Sequence, residues 1–166
     1  MGTALLNWEH RRKIVGGLEA ALFYLHEQLE TRIIHRDVKT SNVMLDSQYN
    51  ARLGDFGLAR IGGTIGYLPP ESFPKRSVAT AKFDVFGFGI VVLKAVSGRL
   101  AVDLIFPDKQ IILLDWIRRL SDEGTLLHAR VHCERVARES PDYYGIDQPD
   151  RTKPSTTDVN VGDTTP

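Results

Sequence analysis

The chain has 166 residues, a length at which one domain is the default. Hydrophobic residues at 42% and charged residues at 25% exclude a mostly disordered or collagen-like chain. The 21 Lys+Arg cancel the 21 Asp+Glu, which excludes the global field of a nucleic-acid binder or a membrane-surface protein, and the single cysteine, Cys133, fits a reducing compartment.

Residues Met1 to His10 lack the basic stretch and apolar core of a secretory signal, and Leu6 stands where a myristoylation signal needs Ser or Thr. From Asn7, a cap residue, the spacing of Ile14, Leu18, Ala21, Leu22, Leu25 and Leu29 predicts a helix with one core face. Its basic run Arg11-Arg12-Lys13 reads as a solvated face. Short apolar pieces follow at Ile33-Ile34, Val43-Met44-Leu45 and Arg52-Leu53, broken by Asp46-Ser47-Gln48-Tyr49-Asn50, and predict brief strands and turns. Between residues 60 and 77 the glycines and prolines are too dense for long regular structure.

The run from Phe83 to Val96 is apolar nearly all round, and its length and its stop at Ser97-Gly98 favour a buried central helix, about 84–97. Its apolar stretch Val85–Leu93 is half of what a membrane span requires and ends at Lys94, so no span is expected. Leu113, Trp116, Ile117 and Leu120 predict an amphipathic helix ending before Gly124. Residues 128–144 are unassigned. From residue 145 to 166 the aliphatic side chains are Ile146, Val159 and Val161, too few to offset an ordering cost of about 1–2 kcal/mol per residue, so this tail is expected to be disordered.

Competing motif readings fail on spacing. His26-Glu27 opens like a metalloprotease helix, but Glu30 stands where the second histidine must be. His128, His132 and Cys133 lack a further ligand pair for zinc, and Gly87-Phe88-Gly89 lacks the third glycine of a dinucleotide loop.

His35-Arg36-Asp37-Val38-Lys39-Thr40-Ser41-Asn42 places an acid, a cation and an amide within six residues, and Asp55-Phe56-Gly57 follows the next apolar piece. Phosphoryl transfer from a nucleotide needs such a set: one carboxylate orients the attacking hydroxyl, a second carboxylate and an amide hold magnesium, and a lysine neutralises the moving group.

These strings resemble the catalytic loop (35–42) and the metal-binding motif (55–57) of the protein kinase family, in the family's order. The resemblance covers about 5–127. It implies the helical C-terminal lobe of that fold, mainly α with short β hairpins (α+β), truncated. By the same resemblance Asp37 is the catalytic base, Asn42 and Asp55 are magnesium ligands, and Lys39, Asn42 and Asp55 face ATP. Lys39, two residues after Asp37, looks like the serine/threonine branch. Gly63 to Glu71 resembles the substrate-docking segment, with Thr64, Gly66 and Tyr67 at docking positions and Pro69-Pro70-Glu71 closing it, Pro69 replacing an alanine. His35, Arg36, Phe56, Gly57 and Glu71 take structural roles, and Asp84 tethers the catalytic loop. Finer wording around Tyr24-Leu25-His26-Glu27 and Val38 to Asp46 is similar to plant receptor-like kinases of the L-type lectin group.

Departures accompany the likeness. The family's glycine-rich loop, strand lysine and helix glutamate belong before residue 5 and are not among these residues. Eleven residues link Gly57 to Pro69, fewer than the family's usual activation segment, with Thr64 and Tyr67 as their hydroxyls, which leaves Arg36 no phosphate to hold. Lys94 stands where relatives usually carry an acid, and Phe83 and Gly87 stand where they carry small hydroxylated residues. The expected function is a fragment of a serine/threonine receptor-like kinase whose family transfers the ATP γ-phosphoryl to protein hydroxyls, inactive by itself. The alternatives are a non-catalytic interaction module or a degraded gene copy. ATP and Mg2+ are the implied cofactors, neither tightly bound here. A protein substrate or a kinase is the implied partner, with no nucleic acid. The chain is expected in the cytoplasm, its family being membrane-anchored receptors with cytosolic kinase domains.

Overall fold

In a computed structural model, residues 6–55, 64–70, 80–127 and 129 are described. Phe56, Gly57, Glu71 and the expected tail at 145–166 lie outside them, as do residues 128 and 130–144. Helix α1 spans Trp8–Phe23, and the Asn7 side chain accepts the His10 amide at 2.8 Å, satisfying one of the free donors of its first turn. Ile14, Leu18 and Leu22 recur every four residues and are buried together with Leu25. The helical path then widens into a π-helical turn, Tyr24–Gln28, before the backbone extends at Leu29.

Strands β1 (Val43–Leu45) and β2 (Ala51–Leu53) pair antiparallel, Val43 opposite Leu53 and Leu45 opposite Ala51. The turn between them is closed by Asp46, whose Oδ1 accepts the amides of Gln48 and Asn50, both at 2.9 Å. Ile33-Ile34, expected as a strand, is not one. Its backbone is claimed by the turn before it, the Ile33 amide donating to the Leu25 carbonyl at 3.0 Å.

Helix α2 spans Ala81–Ser97 and stops at Gly98, whose φ of 70° suits glycine and whose amide returns to the Lys94 carbonyl. Helix α3 spans Leu113–Asp122 and buries Leu113 and Trp116 with Ala129. The main core gathers Ile14, Leu18, Leu22 and Leu25 against Val38 of the loop, Val43 and Leu53 of the hairpin, and Val91 of α2. Each such side chain contributes about 1.5–3 kcal/mol on full burial. Arg11 is not part of a solvated face: its guanidinium donates to the Leu6 carbonyl and to the Ala95 carbonyl on α2, both at 2.9 Å, stapling the two helices. Among the described residues no helix is long and apolar enough to cross a membrane.

Candidate active site

The hairpin register decides what meets at the site. Because Val43 opposes Leu53, Asn42 and Gly54 lie opposite each other one step further on, and the Gly54 amide donates to the Asn42 carbonyl at 2.8 Å. The Gly54 carbonyl lies 2.7 Å from His35 Nε2, which therefore carries the proton, leaving Nδ1 to accept the Asp37 amide at 3.3 Å. His35 is buried and works as a spacer between the loop and β2. Asp55, exposed and at φ 55°, leaves this pinned backbone next to Asn42.

Beneath the loop stands Asp84 in the first turn of α2, with 0% exposure. Its Oδ2 accepts the His35 amide and the Nε2 proton of His26, both at 2.8 Å, and its Oδ1 accepts the Arg36 amide at 2.7 Å. Three donors satisfy the buried charge, so α2 and the π-helical turn fix the loop from below. A few residues further along, a Cβ on Gly87 would lie 2.6 Å from the Val38 carbonyl, so the helix and the loop are in backbone contact there.

Above this base four side chains converge. Asp37 Oδ2 accepts from Lys39 Nζ at 2.7 Å and from Asn42 Nδ2 at 3.1 Å, and Asp37 Oδ1 accepts the Thr64 hydroxyl at 3.0 Å. Lys39 also donates to Thr64 Oγ1 at 3.0 Å, and Asn42 Nδ2 to the Asp37 carbonyl at 2.8 Å. Burial alone would raise the Asp37 pKa. The Lys39 and Thr64 hydrogen bonds, the Lys39 charge and the Asn42 amide more than offset it and hold the carboxyl below the ordinary 3.8. The group is an anion at neutral pH, placed to accept a proton or orient a hydroxyl.

The residues expected at docking positions reach the same loop. Tyr67 lies with its hydroxyl 3.2 Å from Thr40 Oγ1, and Gly66, at φ 89°, packs so close that a Cβ would sit 2.7 Å from Val102 Cγ2. Asp37, Lys39, Asn42 and Thr64 form one hydrogen-bonded assembly, to which Tyr67 is joined by its amide on the Thr64 carbonyl; Arg36 is exposed at its edge. Thr40 and Lys94 were not singled out as site residues by sequence, yet the Lys94 ammonium donates to Thr40 Oγ1 at 2.8 Å. The available signal was a lysine directly after the apolar stretch Val85–Leu93.

Asn42 spends its amide nitrogen on Asp37, which leaves its side-chain oxygen as the remaining ligand atom, and Asp55 adds an exposed carboxylate. Two oxygen donors suit a cation that takes most of its shell from phosphates and water, as magnesium does. Among the described residues no group of three or more His, Cys, Asp or Glu is placed to hold a metal by itself.

Residues 3–119 match the family described as the protein kinase domain. The chain is 60% identical to Receptor like protein kinase S.2 of Arabidopsis thaliana over 75% of its own length and 18% of that relative. It is 45% identical to the probable L-type lectin-domain containing receptor kinase S.7 of Arabidopsis thaliana, covering 77% of this chain and 21% of the relative. It thus spans about a fifth of the length of the curated relatives it matches. Among solved structures, the pseudokinase domain of BIR2, an immune regulator of the RLK/Pelle family, matches with a TM-score of 0.58 at 28% identity, over 84% of this chain and 45% of that one. The chain belongs to the protein kinase family, as a domain fragment similar to plant receptor-like kinases that include L-type lectin receptor kinases.

Proposed function

We propose that the chain supplies the hydroxyl-accepting half of an ATP-dependent serine/threonine kinase site. The observation that carries this reading is the Asp37 carboxylate, held by Lys39, Asn42 and Thr64 at 2.7–3.1 Å and kept anionic. Asp37 would orient a protein Ser or Thr hydroxyl and take its proton, and Lys39, already at Asp37, would neutralise the transferring group. The family uses ATP with Mg2+. Asn42 and Asp55 would hold the cation, which when bound offsets phosphate charge. Thr64, Gly66 and Tyr67 would form the platform for the substrate backbone.

In the same reading residues 1–166 do not turn over alone, because positioning supplies most of the rate and groups that grip the α- and β-phosphates are not among these residues. The match to the Arabidopsis receptor-like kinase S.2 runs over 157 residues while covering three quarters of this chain, so that relative has internal residues this chain lacks. This agrees with a shortened activation segment between Gly57 and Pro69. A domain of this kind acts on the cytosolic side of a receptor at the plasma membrane. A second reading, a non-catalytic interaction module, is favoured by one observation: a solved relative of similar fold is a pseudokinase domain.

The test is γ-phosphoryl transfer to a generic serine/threonine peptide by the purified chain, by its Asp37→Asn variant, and by a chimera carrying a related small lobe and a full activation segment. Activity confined to the chimera and lost in its Asp37→Asn form is the expected result. A silent chimera favours the interaction module, and turnover by the unaided chain contradicts the positioning argument.

A further inference from the structure

Lys94 lies in the last turn of α2, directly after the apolar stretch Val85–Leu93, and is 6% exposed. A buried ammonium is tolerated only where its protons are taken up, and one is given to Thr40 Oγ1, 2.8 Å away and itself buried. Thr40 Oγ1 is in turn 3.2 Å from the Tyr67 hydroxyl. A hydroxyl has one proton and two lone pairs, so accepting from Lys94 frees the Thr40 proton for Tyr67. Three elements distant in sequence are thereby joined: the central helix, the catalytic loop and the docking segment.

The docking turn is held at two places. Lys39 and Asp37 hold Thr64, and Thr40 holds Tyr67, whose amide closes the turn on the Thr64 carbonyl at 3.0 Å. Lys39 and Thr40 are consecutive, so whatever fixes the Thr40 side chain also sets the register between the docking turn and Asp37. We propose that Lys94 is a positioning residue whose ammonium orients Thr40, so that Thr40 and Tyr67 seat the docking segment beside Asp37. An acid at this position would reverse the bond, taking the Thr40 proton and leaving a lone pair for the Tyr67 hydroxyl. The link is then kept with opposite polarity, and an apolar residue of equal size breaks it.

The experiment is amide exchange in the full 166-residue chain. In Lys94→Met the Tyr67 amide should exchange about tenfold faster, as loss of a charge-assisted bond implies, while the His35 and Arg36 amides, held by Asp84, keep their rates. Unchanged Tyr67 protection overturns the proposal, and so does equal acceleration at His35 and Arg36, which general loss of packing would give. Thr40→Val cuts the same link without touching α2 and decides the matter if Lys94→Met does not fold. The double variant should exchange no faster than Thr40→Val, and additive effects overturn the link. In the active chimera, Lys94→Met should raise the peptide KM several-fold with the ATP KM unchanged, and parallel changes in both would refute the role in seating substrate. This last arm rests on the kinase reading, whereas the exchange arms do not. A silent chimera therefore counts against that reading alone and leaves the link to be judged by exchange.

Discussion

Arg36 adopts a left-handed φ of 74°, and its amide donates to Asp84 Oδ1 at 2.7 Å. A non-glycine residue in that region costs about 1–3 kcal/mol, and a hydrogen bond to a charged group returns about the same. The left-handed turn aims the successive amides of His35 and Arg36 at one carboxylate, and it is stable only while that carboxylate is there. The direction of the chain into Asp37 is thus set by a residue 47 positions downstream.

Asp84→Ala should accordingly cost about 3 kcal/mol or more, since it leaves His26 Nε2, the buried His35 amide and the partly buried Arg36 amide without their acceptor. Chemical denaturation and amide exchange check this. Residues 35–42 should lose protection even where the variant stays folded, and unchanged exchange there would remove Asp84 from its tethering role.

Glycines give substitutions of opposite sign. At Gly87 a methyl group would meet the Val38 carbonyl at 2.6 Å, a backbone atom that cannot swing aside, so Gly87→Ala should destabilise by about 1–3 kcal/mol. At Gly16, on α1, nothing lies within 4 Å of an added Cβ, so Gly16→Ala should stabilise by about 0.5–1 kcal/mol. Paired thermal melts decide, and a shift of the same sign in both would contradict the close approach of α2 to the loop.

Helices α1, α2 and α3 were legible because their apolar spacing and their punctuation at Asn7, Gly98 and Gly124 are local features. The strings around Asp37 and Asp55 were legible as a motif, since phosphoryl transfer restricts both residue type and order. Ile33-Ile34 misled because an apolar pair makes a strand only where a neighbouring strand can pair with it, and the Ile33 amide is spent on Leu25. The widening of the path at Tyr24–Gln28 has no compositional signature. Arg99 was likewise invisible: it has 0% exposure, with its guanidinium 3.8 Å from the Phe106 ring and 4.3 Å from the Trp116 ring, an enclosure made by residues that follow it in the chain. The Lys94 to Thr40 bond joins residues 54 apart, beyond any local pattern.

The Asp37 carboxyl, held below the ordinary 3.8, gives a pH dependence with a definite sign. Burial opposes its ionisation, but the bonds from Lys39, Thr64 and Asn42 win, so the unfolded chain binds the proton more tightly than the folded one. The contribution is present in full above the unfolded value and is lost as pH falls from about 4 through the folded pKa. Asp37→Asn lacks it. The melting-temperature difference between the parent and this variant should therefore narrow on acidification below about pH 4 and stay constant above about pH 5. Parallel curves throughout would show that Asp37 gains nothing from its neighbours.

Magnesium nucleotide should bind to residues 1–166 weakly and through Asp55. The β1–β2 register puts Asn42 opposite Gly54, so Asp55, which is exposed, follows directly on the residue that faces Asn42 across the hairpin. That is enough to hold a cation already carried by phosphates, because magnesium keeps several waters and takes one or two protein oxygens. Tight binding of the base needs apolar enclosure on both faces, and Met44, the apolar side chain beside Gly54, remains 49% exposed. The expected dissociation constant is weaker than roughly 100 µM. Calorimetric titration with ATP, with and without Mg2+, measures it. Asp55→Asn should abolish the magnesium dependence, since an amide keeps the shape but loses the charge that attracts the cation, while Asp84→Asn, acting from beneath the loop, should leave it in place in the folded protein. A low-micromolar site would show that the hairpin edge and the catalytic loop enclose far more of the nucleotide than Met44 and Asp55 indicate. Weak binding with the same magnesium dependence in Asp55→Asn would move the cation site away from this edge altogether.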